Sequence, residues 1–181
     1  KLGTSKYDGK EVTAIKLLLQ RDIVGELNRK IIIEKVQSFF SAKISGRDSN
    51  RLYLNESDIK KMYSIGMQFG SHGLTHKWLN CLDYNQQYYE INESFKRLIS
   101  IGAMGEKDLK FLCYPYGAFN KTTLKVLKKL NIDFALVDFG GTAFLENSKM
   151  NEEDIYKLRR WDTNEFWDNN LRRPIIPNSI N

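Results

Sequence analysis

Two histidines, two cysteines and three prolines are all that this chain of 181 residues contains of those types. Two cysteines are too few for a disulfide scaffold, and Cys81 and Cys113 lack the paired spacing of a zinc ribbon or finger. Both lie in apolar stretches, which predicts buried thiols. No apolar run approaches the roughly 20 residues that a membrane-spanning helix requires, so no transmembrane segment is expected. Continuous charge of one sign is also missing. Lys and Arg exceed Asp and Glu by 28 to 22, but the basic residues are dispersed in pairs such as Lys128 with Lys129, Arg159 with Arg160 and Arg172 with Arg173. A solvated surface accounts for them, and no nucleic-acid partner is expected. Neither an internal repeat nor a low-complexity tract occurs. The first residue is Lys1, with no start methionine or signal peptide in view, so an upstream segment is expected to be missing. Reduced cysteines lean toward the cytoplasm as compartment.

What is present is ordinary core-forming material, 41% hydrophobic and 12% aromatic, in a length that favours one domain. We place that domain at residues 1–170, with the proline-bearing stretch 171–181 as an irregular tail. Between Lys10 and Ala42 the apolar spacing predicts two helices, one presenting Val12, Ile15, Leu18 and Leu19, the other Ile31, Ile32, Val36, Phe39 and Phe40. A short helix capped by Asn55 or Ser57 closes at Gly66, and "MQFGS" follows as a strand. Residues 84–101 put Tyr88, Ile91, Phe95, Leu98 and Ile99 on one helical stripe. "LKFLCYPYG" reads as a strand entering a turn, "NKTTLKVLKKLNI" as a helix capped by Asn120, and "DFALVDF" and "IYKLRRW" as strands. Alternation of this kind argues for an α/β fold of parallel units, whose chemistry collects in loops at the carboxyl ends of the strands.

Both histidines fall at such an end, in "GMQFGSHGLTH". A spacing of four lets two imidazoles converge on one ion, and Gly70 and Gly73 permit the close backbone path of a ligand-bearing turn. With no paired cysteines to close a structural site, an open site with a carboxylate as third ligand and water at a remaining position is the expected form. Surface or core-satisfied histidines are the alternative reading.

Several stretches taken in order, "LYLNESDIKKMYSIG", "GMQFGSHGLTHKWL", "EINESFKRL", "FLCYPYGAFN", "NIDFALVDFGG" and "YKLRRWD", resemble the later motifs of the polysaccharide deacetylase family, the NodB-homology fold of carbohydrate esterase family 4. The resemblance covers Leu52 to Asp162 well and Lys10 to Ala42 loosely. It implies a distorted (β/α) barrel, N-terminally incomplete here, holding a divalent ion, most often zinc, on one aspartate and two histidines. The histidines correspond to His72 and His76. Such an ion polarises an acetamide carbonyl and lowers the pKa of water. The turn "YPYG" matches the motif whose tyrosine backbone N–H, here that of Tyr116, donates to the developing oxyanion, a contribution of roughly 2.7–4 kcal/mol. Pro115, Tyr116 and Trp161 are then the expected substrate-contacting residues, with Trp78 a further flat ring suited to a pyranose face; core packing is the alternative for either tryptophan. A proline-fixed turn packing on the core is the alternative for "YPYG".

Departures from the family pattern limit what is carried over. The Asp-Asp motif that supplies the base and the third ligand is absent; "SKYDG" contains only Asp8, which takes no role by this resemblance. The first strand or two of the barrel is expected upstream of Lys1. Where many members have a general-acid histidine, this chain has "LRRWD", placing Arg160 and Asp162 at the matching positions. Arginine keeps its proton at neutral pH, so electrostatic stabilisation or substrate orientation is its expected role, unless it only pairs with Asp162 or Asp138. Cys113 stands where an arginine often opens the third motif. The resemblance implies hydrolytic N-deacetylation of an N-acetylated amino sugar in a cell-surface polysaccharide or its precursor, and it points to the cell envelope as compartment. A non-catalytic carbohydrate-binding relative is the alternative.

Overall fold

The computed structural model describes residues 9–19, 26–40, 53–141, 143, 151–161, 167–168 and 173–174. They group into two compact units, residues 1–67 and 68–181. Among its described residues the first unit contains three helices: α1 (Lys10–Leu17), α2 (Glu26–Phe40) and α3 (Glu56–Ser64). Asn55 caps α3 by accepting from Asp58 N, and the Asp58 carboxylate returns the bond to Asn55 N. A reciprocal cap of this kind contributes about 1 kcal/mol. Of the apolar residues expected to be buried on α1 and α2, Val12, Ile15, Leu18, Ile31, Ile32 and Val36 are exposed, and the side chains of Phe39 and Phe40 lie outside the described residues. Periodicity marks what a helix is able to bury, but a neighbour must cover it.

The second unit is α/β. Helix α4 (Tyr84–Ser100) starts at Asp83, which forms a capping box with Gln86, and α5 (Lys121–Lys129) starts at Asn120, which does the same with Thr123. Between them strand β1 (Phe111–Cys113) pairs in parallel with β2 (Phe134–Leu136), Phe111 opposite Phe134. The expected strands on either side contract to single parallel bridges, Ser71 with Leu112 and Leu136 with Leu158. "IYKLRRW" forms a tight turn over Asp154–Lys157 before its one paired residue, because Tyr156 buries its ring and accepts the Tyr114 hydroxyl on its carbonyl. Four chain segments therefore lie side by side in sequence order, all parallel, and the arc is not closed among the described residues. Trp167–Asp168 (β3) and Arg173–Pro174 (β4) form a short antiparallel pair; the other residues expected in the C-terminal tail lie outside the described residues.

The core fills the space between this arc and its helices, with Leu79, Ile91, Leu112, Val126, Leu127 and Ala135 fully buried. Helix α4 departs from its expected stripe: Gln87, Glu90 and Ser94 are buried with Ile91 and Phe95, while Ile99 is exposed. Cys81 is exposed and Cys113 half-buried, so neither is the enclosed thiol expected from its apolar neighbours. No helix among the described residues is long and apolar enough to cross a membrane.

Gly70 shows how closely the histidine segment approaches β1. A methyl group there would meet the Phe111 ring at 2.1 Å, and that ring is stacked on Phe134 at 5.2 Å between centroids. Gly70→Ala is expected to destabilise the protein by about 1–3 kcal/mol. Chemical denaturation checks this, and an unchanged midpoint would show that the ring moves freely.

Candidate active site

The turn after Ser71 brings the two histidines together. The Nδ1–H of His72 donates to the Cys113 carbonyl at 2.7 Å, which fixes that tautomer because a carbonyl only accepts. The lone pair of neutral His72 is therefore on Nε2, and this atom lies 3.0 Å from Nε2 of His76. The chain reaches that arrangement through left-handed backbone at Gly73 (φ 78°) and at His76 itself (φ 57°). For a non-glycine residue this conformation is unfavourable and survives only where the surroundings impose it. Both histidines are exposed at the surface of the turn.

Their proton affinities diverge. Hydrogen bonding with the Cys113 side chain is the main cause holding His72 above the ordinary imidazole value, partly offset by burial. His76 is pushed the other way, first by desolvation and then by the charge of His72. The Cys113 thiol is correspondingly lowered, first by its hydrogen bond with His72, with Arg160 adding to the effect.

The "YPYG" turn supplies the second wall. Pro115–Gly117 forms a tight turn in which Tyr116 adopts φ 58°. Its ring meets that of His76 edge-on at 4.6 Å between centroids, and Trp78 stacks on it at 4.9 Å and 14°. Pro115 is fully buried, so it shapes the turn from below. A side chain at Gly117 (φ 63°) would come within 3.0 Å of Asp138 Cβ, so this glycine lets the turn lie against the end of β2. Asp138 in turn accepts from Arg160 Nη2 at 3.3 Å. Arg160 thus reaches from the fourth segment of the arc toward Cys113 and His72 of the first two. Trp161, expected at a sugar site, is 38% exposed beside it. Asp162 and Asp8 lie outside the described residues.

The donor set fits two positions of a zinc site. Two nitrogens, each about 2.0–2.1 Å from a common zinc at a tetrahedral angle, lie about 3.3 Å apart, close to the observed separation. A ligating imidazole ordinarily donates its second N–H to a carbonyl or carboxylate, as His72 does to Cys113. Among the described residues no group of three or more His, Cys, Asp or Glu side chains is arranged to hold a metal ion.

The family model for polysaccharide deacetylases matches residues 34–135, more than half of the chain and across the whole histidine turn. The chain belongs to the polysaccharide deacetylase family. Among solved structures it resembles the Streptococcus pyogenes deacetylase PplD in complex with acetate, at 23% identity and TM-score 0.53, over 62% of this chain and 46% of that one. A structure from Bacillus anthracis assigned to the polysaccharide deacetylases, BA0330, aligns at 26% identity and TM-score 0.49, over 60% of this chain and 32% of that one. The chain thus spans just under half the length of the first and about a third of the second. No curated protein matches. The likeness to the streptococcal structure supports a deacetylase-like α/β fold for this family member.

Sequence reading named Asp138 as a possible partner of Arg160 and Trp78 as a flat ring suited to a pyranose face, but it passed over Glu90. Glu90 was hidden because α4 was read by its apolar residues, although its position one residue before Ile91 puts it on the buried side.

Proposed function

We propose that the chain carries the metal-binding and oxyanion-stabilising part of a metal-dependent N-deacetylase that hydrolyses an N-acetylated amino sugar to the free amine and acetate. The observation that carries this reading is the pair of facing Nε2 atoms 3.0 Å apart in a member of the polysaccharide deacetylase family. The parallel arc, with its segments in sequence order, supports a further reading as part of a distorted (β/α) barrel with its reactive groups at the carboxyl ends.

His72 and His76 would hold the ion, zinc being favoured by two imidazoles and a carboxylate. The chemistry supplied there is Lewis-acid polarisation of the acetamide carbonyl together with easier deprotonation of water. Tyr116 lies next to His76 in a turn with left-handed backbone, and in this reading its backbone N–H stabilises the oxyanion. Pro115 holds the turn. The stacked pair of Trp78 and Tyr116 presents flat apolar surface to a pyranose ring, with Trp161 as a second such surface. Arg160, half-engaged by Asp138, stays charged and orients the substrate or offsets developing negative charge. Asp162 would adjust Arg160. The substrate class is a cell-surface polysaccharide or its precursor.

The test is acetate release from N-acetylated amino-sugar oligomers by a form of the protein extended at its N-terminus to carry an Asp-Asp strand, before and after chelation. Activity lost to chelator and restored by zinc supports the proposal; activity indifferent to chelator overturns its metal component. The shortage of a third ligand among the described residues favours, as the second reading, a carbohydrate-binding relative without turnover. Saturable oligosaccharide binding with no acetate release from the extended protein would select it.

Metal loading should depend on pH with a defined sign. An imidazole ligates only when neutral, and His72 surrenders its proton above the ordinary value of 6.5. His76, whose value is lowered, is already neutral there. Zinc affinity is therefore expected to rise about tenfold per pH unit on approaching neutrality and to level off above the raised value of His72. Titration at a series of pH values checks this; affinity that is flat across the weakly acidic range would contradict it.

A further inference from the structure

Glu90 is 3% exposed and belongs to none of the groups assigned above, yet it is bonded to the histidine turn. Its Oε2 accepts from Thr75 N at 2.8 Å and its Oε1 from Thr75 Oγ1 at 2.5 Å, with Lys77 Nζ 3.7 Å from Oε1. One helical turn on, Ser94 is bonded to the other end of the same segment, Oγ to Ser71 Oγ at 2.5 Å. The proton count there closes. Ser94 donates to the Ile91 carbonyl, so Ser71 donates to Ser94, and the Ser71 oxygen then accepts from Gly73 N at 3.1 Å. Ser71 directly precedes His72 and Thr75 directly precedes His76. The two histidines are four residues apart in the turn, and the two residues that hold their neighbours are four apart on one face of α4.

We propose that Glu90 is the positioning residue of the histidine pair, with Ser94 as its counterpart at the other end of the turn. This rests on the reading of His72 and His76 as ligands of one ion. The left-handed conformation of His76 (φ 57°) is unfavourable for a non-glycine residue and needs external restraint at a neighbouring residue. Two charge-assisted bonds from one buried carboxylate to Thr75 provide it. A carboxylate suits the role because its two oxygens accept from a backbone N–H and a hydroxyl at once. Without it the backbone at His76 relaxes toward negative φ, and its imidazole turns away from His72 Nε2.

The experiment is zinc affinity by competition with a chromogenic chelator, with the absorption spectrum of the cobalt(II)-loaded protein as a readout of ligand geometry. The unaltered 181-residue chain is compared with His72→Ala, Glu90→Ala, Glu90→Gln and the core control Ile132→Ala. Glu90→Ala is expected to bind zinc about 10–100-fold more weakly, with an altered cobalt spectrum. Glu90→Gln, which still offers one acceptor to Thr75 N and a donor to its hydroxyl, should recover most of the loss. Ile132→Ala should lower the melting temperature and leave affinity and spectrum unchanged. If Glu90→Ala does not fold, Thr75→Val serves in its place, expected to weaken binding several-fold with recovery in Thr75→Ser. Unaltered affinity in folded Glu90→Ala, or in Thr75→Val, overturns the role of Glu90 alone. Failure of the unaltered chain to bind zinc any better than His72→Ala overturns the ligand assignment and the role of Glu90 with it.

Discussion

His72→Ala is expected to abolish zinc binding by this chain and acetate release by the N-terminally extended protein, while leaving the fold intact. The imidazole lies exposed on its turn, tied to the framework through its bond to the Cys113 carbonyl. Its removal therefore disturbs the core little, within about 1 kcal/mol. Its Nε2, by contrast, is half of the donor pair. The loss in affinity should exceed the roughly 100-fold upper end of what removing an outer-shell partner costs. Zinc titration, acetate assay and a circular dichroism melt check the three parts together. Retained zinc affinity in a normally folded variant would remove His72 from the site.

The 181-residue chain by itself is expected to release little or no acetate even at saturating zinc. Two imidazoles leave the ion short of a protein ligand, and among the described residues no carboxylate joins them. Asp138 is already engaged by Arg160. Both generation of the nucleophile and removal of its proton are then compromised, steps that ordinarily contribute several orders of magnitude. Acetate release is measured for the chain and for Asp8→Asn, Asp138→Asn and Asp162→Asn. Robust turnover by the chain, lost in one of these variants, would place the completing carboxylate at that residue and overturn this expectation.

Local sequence was enough to determine the helices and their starts. Asn55, Asp83 and Asn120 each cap a helix through a side chain that reaches only three residues ahead, so the information is contained in the segment itself. The same holds for β1 and β2, whose apolar runs are bounded by turn residues, and for the family motifs, which are contiguous strings. The pairing of His72 with His76 was legible as a spacing of four, and Tyr116 and Arg160 as motif positions.

Tertiary structure alone decided the rest. The tautomer of His72 depends on a carbonyl 41 residues away, at Cys113. Trp78 stacks on Tyr116 only because the "YPYG" turn carries that ring against it. Arg160 took Asp138 as partner because the ends of two parallel neighbours lie side by side. Glu90 was the least legible of all, since a charged residue on an amphipathic helix reads as solvent-facing until a loop supplies donors to bury it. The exposed apolar residues of α1 and α2 show the converse: periodicity states which face a helix could bury, and only a packed neighbour decides whether it does.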